Sequence, residues 1–336
     1  MSGQSTSVAG RLCLYYRPLP TTDRWLPGDK YIRRIVRPLV RGPRPSGVDK
    51  VFINLCKGLD QIGISYVSNL PFRELQLDDG VAVLGRGRRC LDGYNSDNPI
   101  VAGIGLVTHP SEWPTLCKDY PVVRYLQHSK WANDVYKPYF GERCTVWPVG
   151  IDSDEWKPTK REGEQVDILI YDKLRWDREQ RIMDLMLPIK RELAQRGLTY
   201  LEISYGRYRE AEYRHALSRC RAMIFLCEHE SQGLAYQEAL SSGVPILAWD
   251  QGWCLDPNRF EWGDPEIPAT SVPYFDERCG NTFRNFKEFE TKLEEFIARL
   301  GTADLNPREY ILQHLTLEKC AQNFVRIVNE TLRVKL

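Results

Sequence analysis

Ala222–Gly252 reads AMIFLCEHESQGLAYQEALSSGVPILAWDQG. Ala222–Cys227 is an unbroken apolar run of strand length, the pattern of a strand buried on both faces. A short polar loop follows and ends at Glu230. Leu234–Ser242 has helix-forming composition, and Gly233 stands where that helix begins. Ser242-Gly243 stops it, and Val244-Pro245 opens a second apolar strand, Pro245–Trp249. Strand, loop, helix, tight turn, strand is a βαβ unit, and it predicts a parallel sheet with helices on its faces.

The same scheme continues outward. Upstream, Asp167–Tyr171 predicts a strand, Arg178–Arg196 a helix ended by Gly197, Leu201–Tyr205 a strand and Ala211–Arg219 a helix. Downstream, helices are predicted over Phe286–Leu300, Arg308–Gln313 and Leu317–Val334. The first half also alternates: strands over Arg11–Tyr16, Ile64–Val67, Val81–Leu84, Ile100–Val107, Val122–Leu126 and Cys144–Val149, with helices over Val48–Ile62 and Lys130–Phe140. A chain of 336 residues suits two domains. The expected division is residues 1–150, a charged Pro158-containing linker over 151–163, and residues 164–336, with the last helix packing back on the first domain. The predicted fold is α/β, two Rossmann-like domains facing each other across a cleft at the carboxyl ends of their strands.

The helix opening at Gly233 has a chemical use. Its first turn presents unpaired backbone N–H groups and roughly half a positive charge, a ready site for a diphosphate. Gly233 lets a phosphate approach the backbone closely. Glu238, one turn in, can accept hydrogen bonds from a pair of ribose hydroxyls, and Glu230 would lie on the other side of the diphosphate.

Glu230-x7-Glu238, followed by Ala239-Leu240-x-x-Gly243-Val244-Pro245, resembles the E-x7-E signature of the retaining glycosyltransferases of family 4, which have the GT-B fold. The resemblance implies that Glu238 holds the nucleotide ribose, that Glu230 lies near the donor sugar, and that the N–H groups at Gly233-Leu234 hold the diphosphate. Where that family has Gly-Phe after the first Glu, this chain has Ser231-Gln232. Asp167–Arg181, DILIYDKLRWDREQR, is similar to the strand and basic loop opening the family's second domain. It implies that Lys173 and Arg178 neutralise the diphosphate as the sugar–phosphate bond breaks, with Arg175 and Arg181 as substitutes. Thr145–Pro158, TVWPVGIDSDEWKP, resembles the interdomain junction, with Val149 where Asn is common.

Ser46-Gly47, before the first long helix, matches the family's Gly-rich loop near diphosphate or acceptor, although such a loop precedes helices in many α/β folds. His109, in GLVTHPSEWP, follows a buried run, and several family members place a His there beside the donor sugar; a structural His is the other reading. His128-Ser129 sits at a similar strand end. Lys30–Arg41, KYIRRIVRPLVR, reads either as a basic amphipathic surface for anionic lipid or as a basic active-site loop, with Pro38 against an unbroken helix.

Composition bounds the rest. Residues 1–150 hold 20 Lys/Arg against 13 Asp/Glu within a net charge of +1, so the first half can attract anions. No apolar run is long enough to span a bilayer, and the N-terminus lacks the apolar region of a signal peptide. Ten cysteines without C-x-x-C pairs or zinc-ligand spacing read as buried thiols in a reducing cytoplasmic setting, peripheral at most to a membrane. No metal and no cofactor are expected beyond a nucleoside diphosphate sugar, UDP- or GDP-linked, as donor. The acceptor is expected to be a glycan, a lipid-linked or a small molecule, and not a nucleic acid. The competing readings are a GT-B binding protein without turnover, and a GT-B epimerase or phosphorylase. A dinucleotide oxidoreductase is disfavoured, because no G-x-G-x-x-G follows Arg11–Tyr16.

Overall fold

The computed structural model describes residues 10–17, 47–85, 87–159 and 165–332. Ser46 and the Lys30–Arg41 segment lie outside the described residues. The chain divides into two units. One comprises Met1–Leu126, Tyr139–Thr145 and Ala321–Leu336; the other comprises Gln127–Pro138 and Val146–Cys320.

The first unit is built on a six-stranded sheet, ordered β2-β1-β3-β4-β5-β6. Its strands are β1 (Leu12–Tyr15), β2 (Tyr66–Ser68), β3 (Gly80–Val83), β4 (Ile100–Gly103), β5 (Val122–Gln127) and β6 (Cys144–Val146). β1, β3 and β4 are buried along their whole length, which is why they read as continuous apolar runs. The helix Gly47–Gln61 buries Val51, Leu55 and Leu59 on one face. β4 stops at Gly103, short of the predicted Val107. Gly103 and Ile104 both have positive φ, and a Cβ on Gly103 would come within 2.3 Å of the Leu126 carbonyl oxygen, so the chain must leave the sheet there.

The second unit holds a five-stranded, all-parallel sheet ordered β11-β10-β9-β7-β8. The strands are β7 (Val166–Lys173), β8 (Tyr200–Ser204), β9 (Cys220–Cys227), β10 (Ile246–Trp249) and β11 (Gly280–Phe283). Period-two alternation divides them between two cores. Leu169, Tyr171, Met223 and Phe225 face one, while Ile168, Ile170, Ile224 and Leu226 face the other. The predicted helix over 178–196 is present as Arg178–Arg181, a π turn at Ile182–Met186, and Leu187–Gln195. Pro188 has no N–H to give to the preceding turn, and the π turn directly before it absorbs that defect. β11 was not foreseen, because GNTF carries little apolar pattern.

β8 flanks β7 on one side and β9 on the other, so the chain reverses its direction of travel across the sheet between β7 and β9. The carboxyl ends of strands at such a reversal form the usual ligand crevice of an open α/β sheet. Among the described residues, no helix is long and apolar enough to cross a membrane.

Candidate nucleotide-sugar site

β7 and β9 pair with Lys173 opposite Cys227. That register brings Lys173 and the loop Glu228–Gly233 together at the carboxyl end of the sheet. Lys173 Nζ forms an ion pair with Glu230 Oε1, and both side chains are nearly buried, at 11% and 12% exposure. The ammonium also sits 4.4 Å from the centre of the Tyr205 ring, at the end of β8. Burial pulls the Lys173 pKa down, but the Glu230 charge and hydrogen bond, together with Cys227 and Tyr205, outweigh it and leave it above the usual 10.5. The Glu230 backbone is fixed from two sides, by its N–H to the Thr270 carbonyl at 3.0 Å and by the Trp131 indole N–H to its carbonyl at 2.9 Å.

The loop leads into the helix Leu234–Ser241. Gly233 precedes its first residue in a left-handed conformation, φ 87°. A Cβ there would lie 2.0 Å from the Tyr236 ring, so glycine is required by conformation and by space. Leu234 opens the first turn, whose N–H groups form the helix's positive end. Glu238 lies one turn further in and is 4% exposed. Burial, together with the Glu238 charge among smaller causes, raises the pKa of the Tyr208 and Tyr213 hydroxyls. The structure thus gathers Lys173, Glu230, Gly233, Leu234 and Glu238 on two adjacent segments of one unit.

Arg178 begins its helix and makes a bidentate pair with Asp172, at 2.9 and 2.6 Å, and a 2.8 Å bond to the Leu174 carbonyl. Asp172 is buried, and although burial pushes its pKa up, Arg178 and the Leu174 N–H hold it below the usual carboxylate value. His109 belongs to the first unit. It is 1% exposed, its Nδ1 lies 3.2 Å from the Ser111 N–H nitrogen and 2.8 Å from the Ser111 hydroxyl, and its ring meets Tyr139 edge-on at 5.8 Å. Gly47, also in the first unit, opens the helix Gly47–Gln61, and a side chain there would meet nothing within 4 Å. Among the described residues, no group of His, Cys, Asp and Glu is arranged to hold a metal ion.

Glu228 and His229, which the sequence reading does not single out, and Gln232 complete the site. Glu228 is fully buried, and its Oε1 accepts from the backbone N–H groups of Arg175 at 2.7 Å and Trp176 at 3.1 Å. His229 stacks on Trp176 at 5.1 Å, and burial drives its pKa down to about 3, helped by Arg175 and Lys173. The buried Gln232 amide donates to the Val149 carbonyl at 2.6 Å and accepts from the Val149 N–H at 2.9 Å. The two departures from the family pattern, at Val149 and at Gln232, are therefore bonded to each other.

No protein-family model matches the chain, and no curated protein matches it in sequence. Solved structures do match in fold. A glycosyltransferase from Rickettsia africae ESF-5 superposes with a TM-score of 0.58 at 11% identity, over 96% of this chain and 99% of the other. A UDP-forming α,α-trehalose-phosphate synthase from Burkholderia vietnamiensis gives 0.55 at 10% identity, over 96% and 98%. A lipopolysaccharide outer-core galactosyltransferase gives 0.55 at 9% identity, over 95% and 98%. The two parallel α/β units of this chain, matched along nearly their whole length, are the GT-B fold.

Proposed function

We propose that the protein is a glycosyltransferase that moves a sugar from a nucleoside diphosphate sugar, UDP- or GDP-linked, to a hydroxyl of a glycan, lipid-linked or small-molecule acceptor. The observation that carries this reading is the Lys173–Glu230 pair beside a helix N-terminus capped by Gly233, with the Glu238 carboxyl one turn inside. Each part has a role in sugar transfer. The helix N-terminus and Lys173 stabilise the charge that develops on the leaving diphosphate. Glu238 accepts from the ribose hydroxyls. Glu230, released from Lys173 when the diphosphate arrives, accepts from hydroxyls of the donor sugar. Similar structures support the donor class: the synthase is described as UDP-forming, and a pneumococcal O-GlcNAc transferase of similar fold (TM-score 0.54) is described in complex with UDP and GlcNAc. Retention of configuration and independence of metal extend the reading through the Glu230-x7-Glu238 resemblance.

The test is a thermal-shift screen of UDP, GDP, ADP and their common sugars without added metal, followed by turnover of the stabilising donor. A ligand that binds only the folded state raises the melting temperature by mass action. Lys173→Ala should lower turnover more than donor affinity. No shift from any nucleotide in a folded sample, or full turnover in Lys173→Ala, refutes the assignment.

A further inference from the structure

Four basic side chains lie at the end of β7 and on the segment that follows it: Lys173, Arg175, Arg178 and Arg181. Their surroundings differ. Lys173 is nearly buried against Glu230. Arg178 is committed to a buried carboxylate by two hydrogen bonds and to a carbonyl by a third, so turning it toward a ligand would leave Asp172 buried without its cation. The Arg181 guanidinium lies 5.4 Å from the centre of the Trp249 ring. Arg175 is exposed and loosely held, with its Nε 3.8 Å from Glu228 Oε2 and one terminal nitrogen 3.4 Å from the His229 carbonyl oxygen. Its guanidinium rests 4.1 Å from the centre of the Trp176 ring.

Glu228 places that guanidinium. It is the first residue after β9, fully buried, and its Oε1 gathers the N–H groups of both Arg175 and Trp176. One carboxyl group therefore sets the backbone of the loop beyond β7. The Trp176 ring, stacked on His229, supplies the floor under the arginine.

Resting on the functional reading above, we infer that Arg175 is the second cation on the donor diphosphate, in place of Arg178, and that Glu228 is the positioning residue that holds its loop in register. Arg175 is held by one long ion pair, one 3.4 Å hydrogen bond and a ring face, so it has weaker bonds to give up than Arg178, Glu228 keeps its two backbone N–H donors when it turns, and its planar fork suits bidentate contact with a phosphate. The neutral Gln can do the same positioning, because its amide oxygen accepts the same two N–H groups.

The experiment is titration calorimetry with UDP, GDP and ADP and with the matching nucleosides. Arg175→Ala should weaken the nucleoside diphosphate that the wild-type protein binds by about tenfold or more, leave the nucleoside unchanged, and be partly restored in Arg175→Lys. Glu228→Ala should lose the same diphosphate increment, and Glu228→Gln should regain it. Arg175 is exposed, so its variants carry the test even where Glu228→Ala does not fold. Unchanged diphosphate affinity in Arg175→Ala overturns the inference while leaving the functional reading intact. Equal loss in Glu228→Gln and Glu228→Ala overturns the positioning role. Failure of the wild-type protein to bind any of the three nucleotides overturns the functional reading and this inference with it.

Discussion

At the residue scale the site turns on Gly233 and Glu238. Gly233 has φ 87° and no space for a Cβ beside the fully buried Tyr236 ring. Gly233→Ala must either strain the backbone or displace that ring, and either costs about 1–3 kcal/mol. Urea denaturation should show that loss, and nucleotide affinity should fall with it because the first helical turn moves. A Gly233→Ala protein with wild-type stability would contradict the geometry. Glu238 makes a different kind of contribution. The residue is 4% exposed, and hydrogen bonds to an ionised group are worth about 1.5–3 kcal/mol each. Glu238→Ala should therefore weaken a bound nucleoside diphosphate about tenfold or more in a calorimetric titration, with 2′-deoxynucleotides losing less than ribonucleotides. Equal losses for the two would remove Glu238 from the ribose.

At the element scale, the helix Leu234–Ser241 packs Tyr236, Ala239 and Leu240 into the core and is fixed at both ends by polar bonds as well. Its carboxyl end is fixed by the Ser241 hydroxyl on the Trp156 carbonyl at 2.6 Å and by Arg308 on the Ser241 carbonyl at 2.7 Å. Ahead of its first turn, the Gln232 amide closes a two-bond ring with the Val149 backbone, and the Gln237 amide donates to the Gln232 carbonyl at 2.9 Å. Gln232→Leu leaves a buried N–H and C=O of Val149 without these partners and should cost about 1–3 kcal/mol in denaturant unfolding. Gln232→Glu, which keeps the acceptor but loses the donor, should also destabilise. The βαβ frame around this helix was legible in the sequence, because its strands are buried on both faces and read as apolar runs, and because Gly233 and Gly243 mark the helix ends. The polar ring was not legible. Val149 and Gln232 are 83 residues apart, and no periodicity relates them. Glu228 was hidden for a related reason: a carboxylate in a polar loop reads as solvated, and only the pairing of β7 with β9 reveals that it is buried under the next loop. The resemblance that assigns Arg178 to the diphosphate carries no sign of the buried Asp172 that it grips.

At the scale of the whole molecule, the buried ionisable groups separate acid sensitivity into two windows. Burial holds His128 at a pKa of about 4 and His229 at about 3, against an ordinary value of 6.5. Below pH 6.5 the unfolded chain takes up protons that these folded imidazoles refuse, so stability falls as pH drops through this range. Each imidazole contributes a slope of about 1.4 kcal/mol per pH unit while it stays neutral in the fold and charged in the unfolded chain. Asp79, Asp167, Asp172 and Asp276 act lower on the scale. Their hydrogen-bonded folded forms sit below the usual 3.8, so the stability they contribute is present above that value and is lost only as pH falls beneath it. The melting temperature should therefore begin to fall near pH 6.5, well before the carboxylates titrate. His229→Phe, which keeps a ring on Trp176, should flatten the decline between pH 6 and about pH 4 while leaving the steeper fall below pH 4 in place. Asp172→Asn should do the reverse, lowering stability at neutral pH because Arg178 loses its partner, with less further loss in strong acid. Equal slopes in the wild-type protein and His229→Phe across the upper window would mean that the imidazole takes up its proton inside the fold, and that the Trp131–His229–Trp176 ring cluster opens at mildly acidic pH.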